Sequence, residues 1–419
     1  MKLWTAVVAM AVFVIGLLPQ HRPSAYALVI VGDQLGSLAP CGCTSPMSGG
    51  MLRQAAVIRS AEAHGPTVLL VNGGLVLGAS RQDQLKAETL AELYGNLKAS
   101  ALNISPTDAA LGMGMLLQID SLAGGSIICG SLKPSATNQF PALKADGPFL
   151  IGGVMEDPAP VAAQLQEQPV DPSDAANQLV TEAGKRNLAP VLLLHGSHQT
   201  ALRLADSHPQ LRLIVYSSHG TPPDHLERRG NTFLITPGDD GTYVLRVRFA
   251  NGRFQDYGAL DLTPAYKDDL VAARYYSEYL ARVDHERLID FVPRIKTDPF
   301  AGSKNCEPCH QTSFAIWKHS YHSRSFADLK LLGHDRDPDC VGCHVVGLNS
   351  THGFVSSSAT PGLAAVGCES CHGPGRDHAR NPKLHLMPKI GEASCLRCHD
   401  AEHSPGFLFT KFWPRIRHK

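Results

Sequence analysis

Short apolar runs alternate with stretches of helical period from Leu28 to about Thr263. Residues 26–32, 67–71, 101–104, 125–128, 149–153, 190–194 and 211–216 read as strands, and residues 51–63, 84–97 and 173–186 as helices. That alternation predicts a layered α/β domain over residues 28–263. Near its end, residues 233–236, 242–249 and 253–260 predict a β-meander, turned at Gly238–Gly241 and at Asn251-Gly252. Residues 265–291 read as one amphipathic helix, with Pro264 suited to its first turn. This helix is expected to form the joint, residues 264–297, between two domains.

The first residues read as an address. Residues 3–18 are apolar but short for a membrane span. Gln20-His21-Arg22 breaks the run, and Ala25-Tyr26-Ala27 suits signal-peptidase cleavage after Ala27. An uncleaved anchor is the alternative, and the only expected route to a membrane. Either way the rest of the chain is expected to be exported, to the periplasm or the outer face of a bacterial cell.

After Pro293 the texture changes to Gly, Pro, Ser and His, with few apolar runs. Twelve of the 20 His lie between His310 and His418, and eight of the 11 Cys between Cys306 and Cys398. The whole chain balances 38 Lys+Arg against 38 Asp+Glu, which argues against a nucleic-acid partner. Residues 291–419 are basic by five charges. So few apolar side chains predict that something else fills the interior.

The pattern Cys-x-x-Cys-His occurs four times: Cys306, Cys309, His310; Cys340, Cys343, His344; Cys368, Cys371, His372; and Cys395, Cys398, His399. Two thiols at this spacing can form thioethers to the vinyl groups on one edge of a porphyrin. The following His is then carried beneath the ring to ligate iron. Paired zinc sites do not explain why His follows the second Cys every time. Adjacent Cys-x-x-Cys pairs also make poor long-range disulfide staples. Four covalent c-type haems are therefore expected, with His310, His344, His372 and His399 proximal. Eight His remain as possible sixth ligands: His319, His322, His334, His352, His378, His385, His403 and His418. Met387 is a further candidate, which would raise a potential.

The run Phe314-x-x-Trp317-x-x-Ser320-x-His322 follows the first motif. Gly367 to Gly375-x-x-His378 spans the third, and Phe412-Trp413-Pro414-x-Ile416-x-His418 follows the fourth. These runs resemble the tetrahaem cytochromes c grouped with the electron acceptor of hydroxylamine oxidoreductase, over residues 298–419. The resemblance implies a mainly α, haem-packed domain and closely stacked haems. It favours His322, His378 and His418 as distal ligands, and implies that one iron lacks a sixth protein ligand. His352 falls where the family often has only Gly and Pro, so its role is open.

The strand ends of the first domain carry Asp33, Asn72-Gly73-Gly74-Leu75, Ser105-Pro106-Thr107-Asp108, His195 and His219. The series resembles the calcineurin-like metallophosphoesterases, particularly the exported 5′-nucleotidase branch. Cys41-Gly-Cys43 and Gly49-Gly50-Met51-Leu52-Arg53 resemble a subgroup of it fused to cytochromes. On the family's metal ligands, Asp33, His195 and His219 match, whereas Leu35, Leu75, Pro106, Thr107 and Thr221 do not. Leu75 stands where the resemblance implies the bridging carboxylate, without which a two-metal hydrolase loses its nucleophile. The domain is expected to be a degenerate, non-catalytic docking unit. Cys41 or Cys43 could pair with Cys129.

The expected function is electron transfer between redox partner proteins. Two alternatives remain: an oxidoreductase acting on a small nitrogen or sulfur substrate at an open iron, and a phosphoesterase with a redox domain.

Overall fold

The computed structural model describes residues 25–39, 47–218, 220–238, 240–400, 404 and 406–418. Twelve strands are present among them: β1 (Ala25–Val31), β2 (Thr67–Val71), β3 (Ala101–Asn103), β4 (Ile127–Ile128), β5 (Leu143–Asp146), β6 (Phe149–Met155), β7 (Ala189–His195), β8 (Leu213–Tyr216), β9 (Glu227–Arg229), β10 (Thr232–Ile235), β11 (Tyr243–Ala250) and β12 (Arg253–Asp261). They form two six-stranded sheets, ordered β12-β11-β1-β2-β3-β4 and β5-β6-β7-β8-β10-β9. Strands β1 to β4 run parallel, as do β6, β7, β8 and β10. Antiparallel strands edge both sheets.

Period-2 patterning divides each strand between two cores. On β1, Leu28 and Ile30 point into the inter-sheet core with Phe149, Phe249 and Phe254, while Val29 and Val31 face helices. The helices of the first layer are α1 (Met51–Glu62), α2 (Arg81–Asn96), α3 (Pro106–Ala109) and α4 (Met113–Leu122). The second sheet is covered by α6 (Pro172–Arg186) and α7 (His198–Ser207), after the short α5 (Ala159–Leu165). The result is the layered α/β sandwich expected from the sequence. Asn103 crosses the inter-sheet core, donating to the carbonyls of Val154 and Leu193.

Three expectations change. Residues 233–236 do not join a meander. They form β10, which pairs with β8 in the second sheet, whereas β11 and β12 belong to the first. The helix expected over 265–291 is α8 (Leu270–His285), capped by Asp269 and followed by a 3₁₀ turn over Leu288–Phe291. It is not a free joint, because Ala272, Tyr279 and Val283 are buried in the first domain's core. Arg282 pairs with Glu88 on α2, and Arg81 with Glu286 at 2.7 Å. Finally, β1 starts at Ala25, and Ala25, Tyr26 and Ala27 pair with Ala250, Phe249 and Arg248. A cut after Ala27 would remove three paired residues of the strand. The apolar leader lies outside the described residues, and among those described no helix is long and apolar enough to cross a membrane.

From Pro293 the chain is loops and short helices: α9 (Gln311–Lys318), α10 (Ser325–Leu331), α11 (Pro338–His344), α12 (Cys368–His372), α13 (Arg376–Arg380), α14 (Glu392–Cys395) and α15 (Phe409–Phe412). One small apolar cluster joins Ile289, Phe300, Phe326, Leu329 and Val341 with a few neighbours. Beyond His372, Gly375 and Ser404 are the only described residues that are buried.

Helices α2 and α4 meet backbone to backbone at Gly95, where an added Cβ would lie 2.2 Å from the Leu122 carbonyl oxygen. Gly95→Ala is expected to push the helices apart and cost about 1–3 kcal/mol. The check is a lower urea midpoint at unchanged slope.

Candidate haem centres

Each Cys-x-x-Cys-His motif is wound into about one helical turn. The His310 amide donates to the Cys306 carbonyl at 2.9 Å, and the His399 amide to the Cys395 carbonyl at 3.0 Å. The second motif lies in α11, whose N-cap is Asp337, and the third is α12 itself. The motif His therefore projects from the same turn as its two Cys.

Three of the four motif imidazoles face another imidazole. The ring centres of His310 and His378 are 6.2 Å apart, those of His399 and His322 6.1 Å, and those of His372 and His418 5.9 Å. A metal–imidazole bond is about 2.0 Å and the ring centre lies about 1.2 Å behind its nitrogen, so two rings on opposite faces of one metal stand about 6 Å apart. The three pairs fit an iron between them. Among the described residues no imidazole faces His344 in this way, and no three His, Cys, Asp or Glu side chains converge on a bare metal-ion site.

In four of the six paired rings, and in His344, one ring nitrogen is engaged by a neighbour, which leaves the other for a metal. Nδ1 of His378 bonds the His385 carbonyl at 2.6 Å and that of His418 the Ile416 carbonyl at 2.9 Å. Nδ1 of His399 meets Ser404 Oγ at 2.9 Å, and His372 bonds the Pro388 carbonyl. Nδ1 of His344 bonds the Ser325 carbonyl at 3.0 Å, while Ser325 Oγ donates to the His344 carbonyl at 2.9 Å. Burial holds His322, His372 and His399 below the ordinary imidazole range, favouring the neutral, ligating form.

The other expected candidates sit elsewhere. His319 and His352 are exposed, with Nδ1 on the carbonyls of Ala315 and Thr297. His334 meets Tyr276 of α8, and His385 contributes its carbonyl rather than its ring. Met387 packs toward Gly375, and His403 lies outside the described residues. Sequence reasoning missed Glu369, inside the third motif and only 4% exposed. Its carboxylate accepts from the amides of Ala301, Gly302 and Gly375, each at 2.7 Å. It ties the segment leading to the first motif onto the third.

In the first domain the strand ends bring Asp33 and His195 together, with Oδ1 3.6 Å from Nδ1. His195 Nδ1 also meets Ser217 Oγ at 3.0 Å, and Asn72 donates to Ser217 and to the Leu194 carbonyl. His219, Cys41 and Cys43 lie outside the described residues, and Cys129 is buried. Gly74 lies with its backbone against Asp33. A Cβ on Gly74 would fall 2.4 Å from Asp33 Oδ1, while Leu75 is fully buried in the core.

Asp108 stands in the strand-end series, and the structure gives it a role that the sequence did not assign. It is 1% exposed and accepts from the amides of Gly74, Leu75 and Ser105 at 2.9, 2.8 and 3.0 Å. Burial pushes its carboxyl up against these hydrogen bonds and the nearby His195. Burial likewise pushes His195 down. Asp108→Ala would leave three buried amides unpaired and is expected to cost about 3–5 kcal/mol, because the lost partner is charged. Chemical denaturation of the variant measures this.

Residues 305–373 match the family model described as "Cytochrome c554 and c-prime". The chain is 38% identical over 157 residues to cytochrome c-554 of Nitrosomonas europaea, covering 28% of this chain and 67% of that protein. The fold is similar to a 5′-nucleotidase precursor from Thermus thermophilus, with TM-score 0.55 and 18% identity over 74% of this chain and 68% of that one. It is also similar to the NAD nucleotidase of Haemophilus influenzae, with TM-score 0.53 and 12% identity over 67% and 64%. At these identities the nucleotidases speak for the fold alone. The C-terminal match is closer, and it implies covalently bound c-type haem. The chain thus belongs to the cytochrome c554 family, its cytochrome region following a domain with the 5′-nucleotidase fold.

Proposed function

We propose that this chain is an exported electron carrier with four covalent haems, one on each Cys-x-x-Cys-His motif. Three are ligated by two His: His310 with His378, His372 with His418, and His399 with His322. The facing imidazoles carry the reading, since each pair joins a motif His to one from a distant segment at the spacing an iron requires. Haem bound in this way supplies a one-electron centre. The chain's own part is to hold the imidazoles, fix their tautomers and set the surroundings.

Contacts between motifs support an order of transfer. Cys306 of the first motif and Cys368 of the third are within hydrogen-bonding reach. Arg397, inside the fourth, donates to the Ser370 carbonyl, inside the third, at 2.9 Å. His344 of the second is within electrostatic reach of His322 and His399. These contacts link the motifs in the order first, third, fourth, second, so haems held on them would form a transfer chain in that order.

The pyridine haemochrome of the purified protein is expected to show four haems per chain, and three after replacing Cys395 and Cys398 by Ser. His378→Ala, His322→Ala and His418→Ala should each turn one low-spin centre high-spin in electron paramagnetic resonance. A colourless native protein would overturn the reading.

The lone His344 favours a second reading, in which the second iron binds a small nitrogen or sulfur ligand. Nitric oxide or hydroxylamine should then shift a high-spin signal already present in the wild type. Six-coordinate, inert irons throughout would exclude it.

We read the first domain as non-catalytic. Asp108 fills the strand-end site with hydrogen bonds to backbone amides, and Gly74 faces Asp33 without a carboxylate. No hydrolysis of nucleotide esters is expected with added manganese, and turnover there would restore the phosphoesterase alternative.

A further inference from the structure

We propose that the N-terminal domain is a positioning unit for one haem, the second, acting through the six residues that lead into Cys340. The inference rests on the reading that the second motif carries a haem.

Side chains of α2 and α8 gather on His334 to Asp339. Tyr276 meets His334 Nδ1 at 3.3 Å, and Asp284 meets Arg336 at 3.7 Å. Gln82 Nε2 donates to Asp337 Oδ1 at 2.7 Å, and the Tyr279 hydroxyl donates to Oδ2 at 3.3 Å. Lys86 pairs with Asp339 at 2.5 Å. Both α2 and α8 are held in the first domain's core, so these five side chains stand on a rigid base.

Asp337 is the critical residue. It is 5% exposed, and its Oδ1 also accepts the Asp339 amide at 3.0 Å, capping α11. One carboxylate therefore does two things. It starts the helix bearing Cys340, Cys343 and His344, and it is gripped by Gln82 and Tyr279 of the other domain. The tilt of α11 sets where His344 points. A bis-His haem has a second imidazole to fix its iron. His344 lacks a facing imidazole among the described residues, so α11 and Ser325 are left to orient that ring.

Charge is placed here too. Asp337 and Asp339 stand at the first turn of the motif helix, and Lys86 is the cation paired with Asp339. Removing the cation leaves added negative charge beside the second haem, which favours its oxidised form. Gln82, Tyr279 and Lys86 are positioning residues, since none touches the reacting centre itself.

The test uses the full-length holoprotein. Spectroelectrochemical titration and electron paramagnetic resonance are run on wild type, Lys86→Met, Lys86→Arg and Gln82→Leu. The second haem is recognised as the component lost when Cys340 and Cys343 are replaced by Ser. Lys86→Met is expected to lower the reduced fraction of that haem several-fold at a fixed applied potential. Lys86→Arg should restore it, and the other three haems should stay in place. Gln82→Leu is expected to change the second haem's resonance lineshape alone. Four intact haems with an unmoved second haem in both Lys86→Met and Gln82→Leu would overturn the proposal. So would an equal shift of all four. A haemochrome count below four in the wild type would place the failure in the four-haem reading instead.

Discussion

The C-terminal third has too little apolar side chain to hold itself, so its backbone amides must be gripped one by one. Among the described residues no long helix or sheet pairs them, and unpaired buried amides are costly. Glu369 meets that need by binding three amides from two segments at once. Ser303 Oγ accepts from the Cys368 amide, Ser325 Oγ from Val366, and Trp317 donates to the Val366 carbonyl. The facing imidazoles depend on these grips, because each pair joins segments far apart in the chain.

The first domain solves a like problem at its strand ends with the same chemistry. Loops after β2 and β3 must approach each other closely, and Asp108 crosslinks them through amides of Gly74, Leu75 and Ser105. A buried carboxylate thus ties the loops together, and Gly74 brings its backbone against Asp33. The domain is a rigid body whose α2 and α8 present an edge to the cytochrome region.

Where sequence and structure parted, the causes are specific. Strands such as β1, β2 and β7 were legible because burial on both faces leaves a short continuous apolar run. The sheet to which β10 belongs was not, since a strand's own residues do not say which neighbour it will meet. Helix α8 looked like a joint because its amphipathic stripe says that it packs, not on what. Asp108 was given no role and Glu369 passed unnoticed, because a carboxylate that binds backbone amides reads, in sequence, like any surface acid.

By itself the sequence determined the four Cys-x-x-Cys-His turns and which His each carries, because thiols and imidazole two residues and one residue apart are a local matter. It also determined the layered α/β class, because hydrophobic period is local. The tertiary structure decided which distant imidazole faces each of three motifs, and which carboxylates tie loops together through their amides. It decided too that the first domain takes hold of the chain at Asp337. These are contacts between residues tens to hundreds of positions apart, and no local pattern encodes them. They exist only once chain entropy has been overcome and the segments have been brought together.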